Sequence, residues 1–241
     1  MAKKYLVGID EVGRGSLVGP VTVAAVFLPQ KLPLPRKLGK IPLKDSKKLN
    51  FQQREAWFKY FKNNPHIFYA LKSISSKIID KTNISRAANS AGFLALTKLF
   101  KQRRVAKRLK SAEIKVFLDG GLYLRGQTRN QKQQKYCPKT IPGHLKIQTI
   151  PKADEKIKAV KIASIVAKVH RDRYLIKLHQ KYPHYDFHKN KGYGTKKHLK
   201  AIKKYGPSEV HRLTFIKKYV KFIKMTSGRS FASFRMTRRV N

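Results

Sequence analysis

Asp10 and Glu11 stand side by side at the end of an apolar run, Tyr5 to Ile9, in a chain with only 12 acidic residues against 56 Lys and Arg. Adjacent carboxylates repel each other and lose hydration on burial. A fold that puts them at a strand end therefore needs a bound cation or a set of donors in compensation. Gly13, Arg14 and Gly15 follow at once, then Gly19, Pro20 and a second apolar run, Thr22 to Leu28. The pattern is strand, glycine-rich loop, strand. Taken alone, the acid pair fits either a metal rim or a solvated turn that carries two acids by chance.

The rest of the chain alternates helix and strand signals. Asn50 with Gln53 three residues on forms a capping-box pattern that opens a helix over Phe51 to Phe61, and Ile67 to Ile74 reads as a strand. Asn83 caps a long helix in which Ile84, Ala87, Ala88, Ala91, Leu94, Ala95 and Leu99 recur at helical spacing, dissolving into the basic run 101–110. Ile114 to Leu118 and Lys146 to Ile150 read as strands, and Ala159 to about Tyr182 as a helix. The connection 29–42 reads as irregular, and the Gln-rich stretch 126–139 as a mobile loop. An α/β class follows, with residues 1–215 as the main body and 216–241, basic and without an acid, as an appendage that is disordered in part.

Asp119 and Asp154 repeat the grammar of Asp10 and Glu11: an apolar strand, an acid, then a loop or helix start. Strand ends of an α/β sheet are where ligands collect, so these acids can converge on one rim. Three unrelated turns would give the same pattern. Asp172 lies near the apolar stripe of its helix and needs a partner there. It reads either as a structural acid with a tertiary partner or as an outer support of the metal rim. Arg171 and Arg173 point elsewhere on the wheel. The histidines show no i, i+4 zinc pairing and read as surface or phosphate contacts, although one in the 185–191 loop could relay protons.

The charge of +44 makes the folded chain self-repelling unless it works against a polyanion, and nucleic acid is the natural one. No apolar stretch is long enough to span a membrane. The single cysteine, Cys137, excludes an intramolecular disulfide and a cysteine-based zinc cluster, and no signal-peptide core precedes Asp10. A cytoplasmic setting is expected, and nothing in the sequence suggests an obligate dimer, so a monomer is expected.

Six blocks, in order from Tyr5 to Phe215, resemble the ribonuclease HII family. They are Gly8-Ile9-Asp10-Glu11-Val12-Gly13-Arg14-Gly15, Leu43-Lys44-Asp45-Ser46-Lys47-Lys48-Leu49, Leu118-Asp119-Gly120, Lys152-Ala153-Asp154, Ala163 to Val169 with Arg171-Asp172-Arg173, and Lys191-Gly192-Tyr193-Gly194-Thr195. The resemblance implies an RNase H-like fold, a mixed central sheet flanked by helices with a helical C-terminal part. It also implies metal-dependent endonucleolytic cleavage of RNA in RNA/DNA hybrids, including cleavage 5′ of single ribonucleotides in duplex DNA. The family's four carboxylates fall on Asp10, Glu11, Asp119 and Asp154, which would hold two Mg²⁺ or Mn²⁺ ions and leave 5′-phosphate and 3′-hydroxyl ends. Its reader of the ribose 2′-hydroxyl falls on Gly13, Arg14, Gly15 and Tyr193, while Lys47 and Lys48, with Lys196, Lys197 and the tail, are expected to contact phosphates.

Ser16 departs from the proline of many members, and the interval from Asp119 to Asp154 is long, which bears on substrate preference. The first strand begins at once and Arg14 is present, favouring the HII type over the related HIII type. A non-catalytic basic RNA-binding protein and a junction resolvase of the same fold group are the competing readings; the resolvase would also cut an all-DNA duplex.

Overall fold

The computed structural model describes residues 3–109, 111–124, 145–217 and 219; the 126–139 stretch, Cys137 and the appendage beyond 219 lie outside them. Its core is a five-stranded sheet in the order β5-β2-β1-β6-β7, built from β1 (Lys3–Val12), β2 (Val21–Pro29), β5 (Phe68–Ile74), β6 (Ala112–Asp119) and β7 (Lys146–Ile150). β1 and β2 pair antiparallel, as do β2 and β5, whereas β1, β6 and β7 run parallel. The sheet is therefore mixed, and β1 lies at its centre.

Side chains alternate across the two faces of the sheet. Val7, Ile9, Val23, Ala25 and Phe27 pack on Ala88, Ala91, Ala95 and Leu96, which lie along the buried side of α3 (Ile84–Phe100). Leu6, Ala24, Val26 and Leu28 meet Trp57 and Phe61 of α1 (Phe51–Asn63) and the small-residue side of α6 (Lys158–Lys181), including Ala159, Ile162 and Ala163. Gly8 allows this second layer to close. A Cβ there would stand 2.1 Å from the carbonyl carbon of Ala159. Only a glycine lets the start of α6 lie against β1.

A third apolar cluster joins Leu17 and Val18 of the glycine-rich loop to Leu175 and Leu178 of α6, Phe187 of α7 (Phe187–Asn190) and Ile202 of α8 (Lys196–Tyr205). Ile216, just past the boundary expected at 215, is buried in this cluster as well. The helical C-terminal part thus packs on the loop that follows β1.

Three connections hold more structure than their sequence suggests. The 29–42 segment contains a small antiparallel pairing, β3 (Lys37–Leu38) with β4 (Ile41–Pro42). The basic run 101–110 contains α4 (Arg103–Leu109), and α2 (Ser76–Thr82) precedes α3. Asn83 serves both of those helices. Its positive φ of 88° ends α2 while its side chain accepts from Arg86 N at 3.0 Å to cap α3.

Candidate active site

The parallel register sets Ile9 beside Leu118, so Asp10 and Asp119 leave adjacent strands at the same end of the sheet. Asp119 Oδ1 accepts the Ala153 backbone N–H at 2.8 Å, which docks the short α5 (Ala153–Lys156) on that end and brings Asp154 in its first turn to the same rim. Asp10 and Asp154 are 5% and 3% exposed, and Glu11 follows Asp10 on β1.

These acids interact. Burial raises the Asp10 pKa well above the ordinary carboxylate range, Glu11, Asp119 and Asp154 push it the same way, and a hydrogen bond from Ser164 opposes them. Burial likewise raises Glu11, with Arg14 opposing, and raises Asp154, helped by the Asp119 charge and opposed by Lys47. Such an arrangement is costly without a cation. Glu11 Oε2 is also buried without a hydrogen-bond partner. Four hard oxygen donors under mutual repulsion, one of them with an orphaned oxygen, fit Mg²⁺ or Mn²⁺. The three acid positions, distant in sequence, are therefore one cluster.

Ser164 of α6 supports the cluster from behind, with its hydroxyl 2.7 Å from that of the buried Ser46. Ser46 opens a single 3₁₀ turn, Ser46–Lys48, whose N-cap Asp45 accepts from Lys47 N at 2.9 Å. Arg54 of α1 donates to the carbonyls of Ser46 and Leu49 and to Asp172 Oδ2 at 3.0 Å. Asp172 is fully buried between Arg54 and Lys168, each 3.0 Å away. Arg54 is thus its tertiary partner and Lys168 a partner within α6, and the Asp172 carboxylate holds Arg54. Lys47 Nζ lies 3.6 Å from Asp154 Oδ2, whereas Lys48, Lys196 and Lys197 are exposed.

The glycine-rich loop is fastened by two buried arginines, neither of which pairs with a carboxylate among the described residues. Arg212 donates to the carbonyls of Gly13, Arg14 and Gly19 at 2.7, 2.9 and 2.9 Å. Arg171 donates to those of Pro20 and Val18 at 2.6 and 3.0 Å, so it points inward, against the expectation that it faces away from the stripe. Gly13 has φ +84°, and a Cβ there would lie 2.5 Å from the Arg171 guanidinium. Arg14 reaches back to Glu11 Oε1 at 3.1 Å and to the Gly121 carbonyl at 3.2 Å, bridging the ends of β1 and β6.

Tyr193 stands opposite this loop. Its ring edge is 4.0 Å from where a Cβ on Gly15 would lie, and it is 45% exposed, so it is not a core aromatic. Leu17 N–H and the Ser16 hydroxyl both donate to the Gly192 carbonyl, at 2.8 and 3.0 Å. Behind Tyr193, its carbonyl meets His198 Nδ1 at 2.8 Å, and His198 Nε2 meets His211 Nε2 at 3.2 Å. Both histidines are buried, so these two depart from the expectation that most of the histidines are surface or phosphate contacts. Arg212 and this histidine pair were not singled out in the sequence, and Ser46 and Ser164 entered only as members of two of the resembling blocks. Of these only Ser164, a polar residue between Ala163 and Ile165, left a sequence signal; Ser46 lies between Asp45 and Lys47, and Arg212 follows His211.

A family profile described as Ribonuclease HII matches residues 7–218. The chain belongs to the ribonuclease HII family. A ribonuclease HII of Endomicrobium trichonymphae is 38% identical over 208 residues, covering 86% of this chain and 83% of that one. Ribonuclease H2 of Pyrococcus horikoshii OT3 superposes with a TM-score of 0.67 at 25% identity, covering 91% of this chain and 99% of that structure. The Bst ribonuclease HIII bound to Mn²⁺ shares the fold at a TM-score of 0.62 and 18% identity, covering 93% and 71%. The fold is thus the α/β RNase H-like one, and the protein is a ribonuclease HII, an endonuclease that cleaves RNA/DNA hybrids. Among the described residues no helix is long and apolar enough to cross a membrane.

Proposed function

We propose that Asp10, Glu11, Asp119 and Asp154 hold two Mg²⁺ or Mn²⁺ ions and that the enzyme cuts hybrids and single ribonucleotides in duplex DNA on the 5′ side of the ribonucleotide. The products are 5′-phosphate and 3′-hydroxyl ends. The observation that carries this reading is the buried four-carboxylate cluster beside an exposed tyrosine and a glycine loop. Divalent ions bound there would polarise the phosphodiester and lower the pKa of a water.

The chain's own groups do the rest. Ser164 orients Asp10, and Arg14 restrains Glu11. The backbone of Gly13 to Gly15 and the Tyr193 ring take the ribose, because a minor-groove 2′-hydroxyl distinguishes RNA from DNA and only a loop without side-chain bulk approaches it closely. Lys47 moves from Asp154 to the scissile phosphate, while Lys48, Lys196, Lys197 and the basic 216–241 appendage supply sequence-independent contacts, each adding about 0.9 to the log–log salt slope. One chain supplies every residue named, so a monomer in the cytoplasm suffices.

A duplex carrying one ribonucleotide tests this directly. Nicking should require Mn²⁺ or Mg²⁺, fall on the 5′ side of the ribonucleotide and spare an all-DNA control. Asp119→Asn should bind the duplex and fail to cut. Cutting of the all-DNA control would instead favour a junction-resolvase-like nuclease.

A further inference from the structure

Away from the carboxylate rim, the turn between α6 and α7 gathers a second set of donors. His179 lies near the end of α6, Asp186 precedes α7, and His188 lies within α7. One ligand atom from each lies within 4.8 Å of the other two. Donors around a tetrahedral zinc ion stand about 3.3 Å apart, so small side-chain rotations would close the set.

Three observations argue that this is more than a polar turn. Nδ1 of His179 and Nδ1 of His188 are both shielded from solvent and make no hydrogen bond, although Asp186 Oδ1 approaches the latter to 3.1 Å. The imidazoles lie close together, their centroids 3.9 Å apart and tilted by 37°, an arrangement that disfavours both being protonated at once. Asp186 adopts a left-handed conformation, φ 56°, at the N-cap of α7, yet its side chain makes no cap hydrogen bond. A non-glycine residue is strained in that conformation, and the carboxylate is aimed at His188 rather than at the helix N–H groups.

We propose that His179, Asp186 and His188 form a second metal site, specific for a borderline divalent transition ion such as Zn²⁺ and distinct from the all-oxygen cluster. Two imidazoles and one carboxylate with a position left for water suit Zn²⁺, Co²⁺ or Ni²⁺, whereas Mg²⁺ and Mn²⁺ prefer oxygen donors. The placement gives the site a structural consequence. α7 ends at Asn190 with Lys191 as its C-cap, and Gly192 and Tyr193 follow at once, so an ion tying α7 to the end of α6 braces the segment that presents Tyr193. Lys189 and Lys191 act on His188 as nearby positive charges and moderate the affinity.

The test uses the full, tag-free chain stripped with a chelator. Zn²⁺ is titrated in competition with a chromophoric chelator, and Co²⁺ is added separately to read its visible d–d absorption. Wild type and Asp10→Asn should each bind one equivalent of Zn²⁺ outside the carboxylate cluster and give a tetrahedral-type Co²⁺ spectrum. His188→Gln and Asp186→Asn, checked for folding by circular dichroism, should weaken Zn²⁺ by at least about tenfold and lose the spectrum. Zn²⁺ binding of equal strength in wild type and both folded variants would overturn the proposal, as would loss of all Zn²⁺ binding in Asp10→Asn. Should the single variants not fold, a hydrogen–deuterium exchange comparison of wild type with and without Zn²⁺ decides. Protection must appear at 179–193, and its absence refutes the site.

Discussion

The hydroxyls of Ser46 and Ser164 lie 2.7 Å apart, and Ser164 in turn hydrogen-bonds the Asp10 carboxylate. A hydroxyl has one proton to donate, so Ser164 gives its proton to Asp10 and accepts from Ser46. The 3₁₀ turn at Ser46–Lys48 is thereby wired to the central strand. Ser164→Ala removes the donor and leaves the Ser46 hydroxyl buried without a partner. Losses of this kind beside ligating groups weaken metal affinity by about 10- to 100-fold. The half-saturating Mg²⁺ concentration for cleavage should rise by that factor, with partial recovery of rate at high Mg²⁺. An unchanged Mg²⁺ titration would show that the bond does not position Asp10.

The same cluster makes a prediction about stability. The Asp10 pKa is raised in the fold, so the native state holds its proton more tightly than the unfolded chain does, and stability falls as pH rises through that range. At neutral pH without metal the charged cluster is therefore strained. Asp10→Asn should melt higher than wild type in EDTA, by about 2–4 °C for each 1 kcal/mol relieved, although it cannot cut. Mg²⁺ should raise the wild-type midpoint and leave the variant's nearly unmoved. Thermal melts with and without metal check both halves.

How much of this could be read in the sequence follows from the kind of signal each part leaves. Asp10, Glu11 and Asp119 stand at the ends of apolar strands and Asp154 follows shortly after one, and in a chain this basic carboxylates so placed stand out. Asn50 and Gln53 form the expected capping box because that interaction is local. Arg212 left no such mark, since it lies among 56 basic residues and its role depends on meeting the Gly13 and Gly19 carbonyls across nearly the whole chain. Asp172 showed that it needed a partner but not which one, because Arg54 comes from a different helix. The His179, Asp186 and His188 set was invisible for a similar reason: a turn, not a helical repeat, brings the three together.

Arg212 offers a sharper test of the loop than any glycine. Three of its donors reach three carbonyls in a fixed fork, and lysine cannot reproduce that planar geometry. Arg212→Lys keeps the charge and most of the volume. It should leave the Gly13 and Gly19 carbonyls underpaired, loosen the loop opposite Tyr193, and lower kcat/KM for a single-ribonucleotide duplex by about tenfold or more, as expected from about 1–3 kcal/mol of lost pairing. Non-specific duplex binding, which depends on surface charge, should hardly change. A filter-binding and nicking comparison separates the two effects.

The buried pair behind Tyr193 dictates an acid response of opposite sign to that of the carboxylates. Ser208 donates its N–H to His211 Nδ1, so His211 carries its proton on Nε2 and gives it to His198 Nε2, leaving His198 Nδ1–H for the Tyr193 carbonyl. Both imidazoles are therefore neutral. Burial, then the repulsion that protonation of both rings would create with His198, lowers the His211 pKa to about 3, and burial lowers His198 too. The unfolded chain takes up these protons below about pH 6.5 while the native state refuses them, so stability falls as pH drops from 6.5 toward 3. At pH 5 one fully neutral histidine accounts for about 2 kcal/mol. Urea midpoints should drop between pH 7 and pH 5 in wild type and drop less in His211→Gln, whatever that variant's stability at pH 7. Equal drops in the two proteins would mean that the pair is already protonated in the fold, and the hydrogen-bond chain to Tyr193 would have to be redrawn.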